Sequence, residues 1–403
     1  RSGRVADARE SLAESRRKNP NLPPSNLMLA EILFRSQQNA AVPSILEEAA
    51  REAPDDPGTY VYLGEFAVQG RRIAEAALLF NKAIELLPKY TANDKRKDQL
   101  TVAALSGLTT IAEARGDWAA AKQYLQRAQQ VDADNSVVLN RLGRAMFKLA
   151  ENRDQEKEVW AIYKKLHDND ENTAHQDVNM GLLYDGANKL ANAEIFMKRA
   201  AENDAQNIRT QLAVANWGLR RGKLALAEAA ANAALKLDPD SVDAKVIQGR
   251  IARFNKDLPK AEKSFMAAHL AQPTNLSIIL EVARTLSEST EQEQLTQAYS
   301  YAQLAARLAP DLKEVAGREA AVTTAWILSR MKQDTNAARA IESVVNAGGG
   351  RLSADSAYYA AQILYNSGMN ENAQKILEQT LQAEPIFANR DAAQGLLDRI
   401  RSQ

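Results

Sequence analysis

The chain has 403 residues, 45% hydrophobic and 25% charged, a composition typical of a folded protein of two to four domains or of one elongated array. Its 51 Lys and Arg balance 51 Asp and Glu, and this zero net charge argues against a general nucleic-acid-binding surface. The absence of Cys excludes disulfides, thiolate ligands and cysteine nucleophiles, and the presence of only three His leaves little imidazole for a zinc site or a triad.

The first segment, GRVADARESLAESRRKNP, has the pattern of a helix that ends at Pro20. It is interpreted as the second helix of a helical pair that lacks its first helix, occupying residues 1–22. No Met and no signal sequence precede this helix. We therefore expect that residues upstream of it were removed.

Proline positions reveal an internal period. Seven of the 12 prolines follow a similar apolar stretch, and several are 34 residues apart: Pro20, Pro54, Pro88, Pro239, Pro273, Pro310 and Pro385. Because proline cannot continue a helix, this shared phase predicts a helix end at each position.

Small and large apolar residues keep the same period. In residues 57–90 they are Tyr60, Leu63, Gly64, Ala76, Phe80 and Ala83, followed by Pro88, and similar sets recur in 174–207, 208–241 and 242–275. Small residues at fixed positions let two antiparallel helices approach closely. This pattern resembles the tetratricopeptide repeat, a 34-residue helix–turn–helix unit. The resemblance implies an all-α solenoid, a right-handed superhelix of about ten repeats.

The predicted repeats fall into blocks. Residues 23–90 contain two repeats, 91–101 form a charged insertion that extends the next helix or makes an exposed elbow, and 102–312 are central repeats. Residues 313–387 are the C-terminal repeats, and 388–403 form a capping helix with a polar outer face. The pattern weakens in 136–173 and in 319–353, where Trp326 occupies a position usually held by Gly. We expect one continuous superhelix.

No arrangement of residues indicates catalysis. The sequence lacks a phosphate-binding loop, a nucleophile elbow and an HExxH motif. His167, His175 and His269 are interpreted as structural or surface residues, and NAGGG at 346–350 as a flexible turn. We therefore predict a protein that is not an enzyme and that has no cofactor and no metal site.

The aromatic residues have two interpretations. The four tryptophans occur singly on helices and are predicted to fill the core or the spaces between repeats. Tyr358, Tyr359 and Tyr365 lie on one Ala-rich helix, either as half-buried structural residues or as a patch that contacts a peptide or another subunit.

The first helices of the repeats are expected to line a concave groove. The inward positions carry Val61, Tyr62, Glu65, Ser106, Thr110 and Glu113 toward the N-terminus. In the middle and C-terminal parts they carry the predicted peptide-binding residues: Asn140, Arg144, Asn179, Arg209, Asn216, Arg250, Arg253, Arg284 and Tyr358. Guanidinium and amide groups suit carboxylates or peptide carbonyls. This row of Arg and Asn side chains, the predicted stripe, therefore indicates an acidic or extended peptide as the partner, unless it is only a solvated basic surface.

Family members that hold a C-terminal carboxylate use Lys or Asn, then Asn, then Lys or Arg from three successive repeats. Asn140 and Arg144, then Asn179, then Arg209 resemble that clamp. The Lys/Asn order is reversed, and Ala213 replaces a second cation. The resemblance therefore implies a general peptide groove more than a true clamp.

The predicted function is a non-enzymatic scaffold or adaptor that binds a protein or peptide in its groove, with no nucleic acid and no membrane insertion by this chain. One alternative is an assembly protein that oligomerises or spaces a complex through its ends or convex face. Another is the adaptor arm of a longer membrane-anchored or enzymatic protein. The absence of Cys favours a bacterial protein, located in the cytoplasm or in an extracytoplasmic compartment.

Overall fold

In the computed structural model, residues 2–36, 38–170, 172–347 and 350–402 are described, and within them the chain consists of α-helices, turns and two short 3₁₀ segments, with no strand. The helices are α1 (Ser2–Lys18), α2 (Ser25–Arg35), α3 (Val42–Glu52), α4 (Pro57–Gln69), α5 (Ile73–Leu86), α6 (Asp94–Ala114), α7 (Trp118–Val131), α8 (Ser136–Leu149), α9 (Arg153–Asn169), α10 (Gln176–Gly186), α11 (Leu190–Asn203), α12 (Ile208–Arg220), α13 (Leu224–Leu237), α14 (Val242–Phe254), α15 (Leu258–Ala271), α16 (Leu276–Ser287), α17 (Gln292–Leu308), α18 (Val315–Arg330), α19 (Asp334–Asn346), α20 (Ala354–Asn366), α21 (Asn370–Ala383) and α22 (Arg390–Arg401).

The helices belong to two compact units, unit 1 up to Ala193 and unit 2 from Glu194 onward. In unit 1, consecutive helices pack as the pairs α2–α3, α4–α5, α6–α7 and α8–α9. In unit 2 the pairs are α12–α13, α14–α15, α16–α17, α18–α19 and α20–α21, and α22 packs on α21. These pairs confirm the predicted all-α fold built from helix–turn–helix repeats.

The helix ends follow from the capping residues. Each of the seven phased prolines lies two residues beyond the last helical residue, as Pro54 does after α3 and Pro88 after α5. Many helices begin with an Asp, Asn or Ser whose side chain accepts a hydrogen bond from the first turn, for example Asp117 before α7 and Asn275 before α16. Such caps satisfy amides that have no partner within the helix.

The turn inside a repeat has a recurrent left-handed residue. Gly116, Gly222 and Gly368 occupy this position with φ of 66–77°, but Arg71, Asn188, Lys256 and Lys332 hold the same conformation with φ of 57–62°. In unit 2, the amide after Lys332 donates to the carbonyl of Leu328 at 2.8 Å, closing the C-terminus of α18. Therefore the turn geometry is kept even where the residue has a Cβ.

The predicted small residues allow close helix packing. Phe80 of α5 is 1% exposed and lies between Gly64 of α4 and Gly107 of α6. A Cβ on Gly64 would stand 2.7 Å from Cε1 of Phe80, which is closer than real Cβ contacts. Gly249 and Phe265 repeat this geometry in unit 2, with the same 2.7 Å separation. Glycine is needed at both positions because the aromatic ring occupies the space of a side chain.

The irregular segments are also helical. The charged insertion contributes the first two turns of α6, which is 21 residues long, so it extends that helix. In the repeat 136–173, Tyr163 of α9 is 2% exposed and packs on Gly143, where a Cβ would lie 2.6 Å from the ring. The predicted capping segment contains α22, and α1 precedes the first complete pair. Gly348 and Gly349 of the NAGGG turn lie outside the described residues.

Candidate functional site

We call the side of each unit formed by the first helices of its repeats the inner face. In unit 2 this face contains a buried network of charged residues. We call it the clasp, and it comprises Arg253 of α14, Glu281 and Arg284 of α16, Glu319 of α18, and Asp355 and Tyr359 of α20. Arg253 Nη1 donates to Glu281 Oε2 at 2.8 Å, and Arg284 Nη2 donates to Glu319 Oε2 at 2.6 Å. The clasp thus joins the first helices of four consecutive repeats.

The clasp reaches beyond neighbouring repeats. Arg253 Nη2 donates to the Tyr359 hydroxyl at 3.3 Å and lies 3.5 Å from Asp355 Oδ2. Both partners are more than 100 positions from Arg253 in the sequence. Asn389, just before α22, donates through Nδ2 to the same hydroxyl at 3.2 Å and to Asp355 Oδ1 at 3.0 Å. Between α14 and α20, these inner positions of unit 2 are therefore occupied by paired side chains of the protein itself.

Two carboxylates of the clasp, Glu281 and Glu319, are held ionised. Burial opposes ionisation of Glu281, but the charges of Arg253, Arg250 and Arg284 overcome it and lower the pKa of Glu281 to about 2. Burial is likewise outweighed at Glu319, where the charge of Arg284 and hydrogen bonds from Ser353 lower the pKa. These groups have the partners that buried charges require.

Several predicted peptide-binding residues are engaged in this network. Arg253 and Arg284 are 5% and 7% exposed, so the expectation that they line an open groove does not match their position. Arg250 retains partial exposure, and its Nε donates to Glu281 Oε1 at 2.7 Å. The repeat period indicated which face these arginines occupy, but it could not show that Glu281 and Glu319 lie beside them.

The other predicted residues of unit 2 have varied surroundings. Arg209 and Asn216 of α12 are exposed, and Asn216 donates to the carbonyl of Leu212 in its own helix. Tyr358 is partly buried against the core, with its ring 6.1 Å from that of Trp326. Trp326 stacks on the fully buried Tyr359 at 4.6 Å. The structural interpretation of these tyrosines therefore fits better than an exposed patch.

Unit 1 places its predicted residues near an accessible surface. Asn140 and Arg144 of α8 are exposed, and Asn179 of α10 is half-buried. Arg144 Nη2 lies 2.8 Å from Glu113 Oε2, and its guanidinium carbon is 5.9 Å from the Trp118 ring centroid. Arg144 therefore has an acidic partner within the protein.

Glu113 has a second arginine partner. Arg141 of α8 donates to it through Nε at 3.3 Å and Nη2 at 3.1 Å. Burial opposes ionisation here as well, but the hydrogen bonds from Arg141 and Arg144 lower the pKa of Glu113. Arg141 was not among the predicted residues, although it follows Asn140 directly and occupies one of the assumed inward positions.

Two adjacent clefts open on the inner face of unit 1. The first cleft, of about 400 Å³, is lined by α2, α4 and α6 with Glu31, Arg35, Val61, Tyr62, Glu65, Asn93, Lys95, Arg96, Gln99, Leu100 and Ala103. The second cleft, of about 320 Å³, is lined by α4, α5, α6 and α8 with Glu65, Val68, Gln69, Phe80, Ala103, Ser106, Gly107, Thr110 and Arg141. The two clefts share Glu65 and Ala103, so they form one extended surface.

The acidic groups of the first cleft are partly desolvated. Burial raises the pKa of Glu31, against the opposing influence of Arg96, Tyr62 and Arg35. Burial and the nearby Glu31 and Glu65 carboxylates raise the pKa of Tyr62 to about 12. Burial alone raises the pKa of Glu65, which among the described residues has neither an ion pair nor a hydrogen bond. Glu65 is therefore a carboxylate without a cation.

The cations of the first cleft have other contacts or are exposed. Arg96 Nη1 donates to Asp56 Oδ2 at 3.2 Å and to the Tyr90 hydroxyl at 3.0 Å. Lys95 is exposed at the rim, and the charge of Arg35 acts on Glu31. Sequence reasoning placed Val61, Tyr62 and Glu65 on this face but assigned binding to the Arg and Asn positions, because it could not distinguish paired from unpaired charges.

A third cleft, of about 400 Å³, lies in unit 2 and is mainly apolar. It is lined by residues of α18 to α21 and of the turn before α20: Val322, Ile341, Val344, Val345, Gly350, Arg351, Leu352, Ala354, Ala357, Ala360, Ile376, Gln379, Thr380, Ala383 and Glu384. The repeat pattern did not predict this cleft, since such residues normally pack one hairpin on the next.

Within the described part of the chain, no group of three or more His, Asp or Glu could hold a metal ion. The histidines have aromatic neighbours instead, with the His167 and His175 rings 5.6 Å apart and His269 edge-on to Tyr301 at 5.3 Å. Nor does any described helix combine the length and apolarity needed to cross a membrane.

Comparison with known protein families gives a match in two segments of the chain. The family model for the tetratricopeptide repeat matches residues 27–91 and 219–275, which confirms the resemblance inferred from the apolar and proline periods. A search of curated protein sequences finds no significant match.

Solved structures of low identity align with most or part of the chain. The human IFIT1 dimer with PPP-AAAA is 17% identical, with 94% of this chain and 90% of that chain covered and a TM-score of 0.43. Yeast Tom70 is 13% identical, covers 100% of this chain and 93% of its own, and has a TM-score of 0.41. Pseudomonas aeruginosa PilF is 16% identical, with 54% and 95% covered and a TM-score of 0.37.

Proposed function

We propose that this chain, in which residues 27–91 and 219–275 match the tetratricopeptide repeat, is a non-enzymatic scaffold that binds a partner protein through an extended peptide on the inner face of unit 1. The observation that supports this most directly is the pair of adjoining clefts that share Glu65 and Ala103. They present apolar walls, hydroxyl groups, two carboxylates and several cationic side chains side by side. A preformed surface of this kind suits recognition of an extended segment without large rearrangement.

The position of the proposed site differs from the predicted stripe. In unit 2 the clasp occupies the inner face, so Arg253 and Arg284 are assigned a structural role. Asn140, Arg144 and Asn179 remain proposed contributors in unit 1, and Arg209, Asn216, Arg250 and Tyr358 remain untested candidates. The exclusion of nucleic acid rests on the neutral net charge and remains a prediction.

The proposal is tested by blocking the clefts. Gln99 and Thr110 are exposed residues of α6, and each lines one cleft. In the double variant Gln99→Trp and Thr110→Trp, the indole rings should fill the clefts without disturbing the core. Peptides selected from a random library on the wild-type chain should bind this variant at least about tenfold more weakly, a loss of about 1.4 kcal/mol.

The matched control places the same bulk elsewhere. Gln123 and Gln130 are exposed positions of α7 that line neither cleft, and Gln123→Trp with Gln130→Trp should leave peptide binding unchanged. Fluorescence anisotropy measures both variants, and circular dichroism checks that their helicity is equal. Unchanged affinity of all selected peptides for the cleft-blocked variant would refute the site.

A further inference from the structure

The partner chemistry can be inferred from one carboxylate that differs from its counterparts. Glu113, Glu281 and Glu319 each accept hydrogen bonds from arginine side chains of neighbouring helices. Glu65 occupies a comparable inner-face position on α4, but no described residue pairs with it. Arginine–carboxylate pairs thus recur on helices of both units, whereas Glu65 has no such pair among the described residues.

The arginine nearest to this position in the second cleft is already used. Arg141 lines the cleft together with Glu65, yet its Nε and Nη2 donate to Glu113, and Nη1 donates to the carbonyl of Ser106 at 3.2 Å. Nη2 also donates to Thr110 Oγ1 at 3.0 Å. Its donors therefore have other acceptors, and no described cation of the chain lies within ion-pair distance of Glu65.

The surroundings of Glu65 favour a planar, extended cation. The carboxylate lies where the two clefts meet, beside the small residue Ala103, and its charge acts on the Tyr62 hydroxyl. This opening leaves space for a long side chain between α4 and α6. A guanidinium can pair with a carboxylate through two parallel hydrogen bonds while its face lies against an aromatic ring.

We propose that Glu65 binds the guanidinium of an arginine in an extended peptide that lies along the two clefts of unit 1. This inference rests on the proposed function and specifies its ligand. It replaces the acidic peptide expected from the sequence, because four of the five arginines that suggested an acidic partner have carboxylate partners of their own in Glu113, Glu281 and Glu319.

The test uses the full chain and two labelled probes. One is a fluorescein-labelled nonapeptide of Ala and Ser with a central Arg, and the other has citrulline, a neutral analogue of nearly the same shape, at the centre. Anisotropy should show that the wild type binds the Arg peptide about tenfold more tightly than the citrulline peptide. The preference should disappear in Glu65→Gln, which removes the charge and keeps the shape.

The control variant is Glu85→Gln, which changes an exposed carboxylate of α5 that pairs with Lys82 outside both clefts. This variant should keep the preference for the Arg peptide. The proposal is overturned by equal binding of the two probes, by a preference that survives Glu65→Gln, or by no binding of either probe. If library-selected peptides still lose affinity for the cleft-blocked chain, those outcomes reject the arginine assignment alone and leave the proposed function standing.

Discussion

At the scale of single residues, unpaired Glu65 contrasts with the paired carboxylates of the same protein. Burial disfavours its charged form, and no cation compensates, so the folded chain bears a cost for keeping this group ionised. Glu281 is more deeply buried, yet its arginines lower its pKa to about 2. Partly buried charges without a partner, such as Glu65, occur at binding sites, where they lower the stability of the fold but serve recognition.

The variant Glu65→Gln should therefore be at least as stable as the wild type at pH 7. In the wild type, the pKa of Glu65 is raised in the folded state, so ionisation of Glu65 reduces the stability of the fold as the pH rises above 4.5 toward that pKa. Glutamine cannot ionise and therefore removes this penalty. Differential scanning calorimetry at pH 7 should give an equal or higher Tm. A clearly lower Tm would mean that Glu65 serves the fold and would weaken its assignment as a ligand group.

At the scale of helices, much of the architecture follows from sequence patterns with local physical causes. The phased prolines mark helix ends because proline lacks an amide hydrogen, and Gly64 and Gly249 mark close packing because Phe80 and Phe265 fill their space. The clasp could not be predicted in this way. Its members are separated by up to 106 positions, and their contact depends on how successive helices of unit 2 are inclined, which no local pattern encodes.

The clasp should dominate the acid sensitivity of unit 2. Glu281→Gln leaves Arg253 buried with its charge partly uncompensated, and we expect a loss of about 3 kcal/mol at pH 7. The folded pKa of Glu281 is lowered, so its stabilising contribution is present above 4.5 and disappears as the pH falls toward about 2.

Urea denaturation of wild type and Glu281→Gln at pH 7, 4.5 and 2.5 measures this contribution. The difference in unfolding free energy should be largest at pH 7 and should shrink by pH 2.5. The exposed pair of Lys82 and Glu85 offers a control, because Glu85→Gln should change the unfolding free energy by less than about 0.5 kcal/mol at any pH. A difference that is constant with pH would contradict the ionic role of Glu281.

At the scale of the whole molecule, the choice between a peptide-binding scaffold and a self-assembling protein depends on exposed apolar surface. The tyrosines proposed for subunit contact do not provide it, since Tyr359 is fully buried and Tyr358 and Tyr365 pack against the core of unit 2. Large exposed apolar residues such as Leu78 and Leu270 occur singly on separate helices. Scattered residues of this kind are normal for protein surfaces.

We therefore expect a monomer of 44.2 kDa whose mass does not depend on concentration. Size-exclusion chromatography with light scattering, over a hundredfold range of concentration, measures this directly. A dimer or filament would favour the alternative in which the chain spaces or assembles a larger complex. Dissociation of such a dimer by Tyr365→Ala would attribute it to α20.

The link between Arg253 and α20 also limits how unit 2 can evolve. In an open array, each repeat contacts only the next one, so copies can be gained or lost with little penalty. Here a duplicated hairpin between α14 and α20 would move Arg253 away from Tyr359 and Asp355, and the buried guanidinium would lose these two partners. Homologous chains that retain these three side chains should therefore keep the same number of hairpins between them, whereas unit 1 has no equivalent restraint among its described contacts.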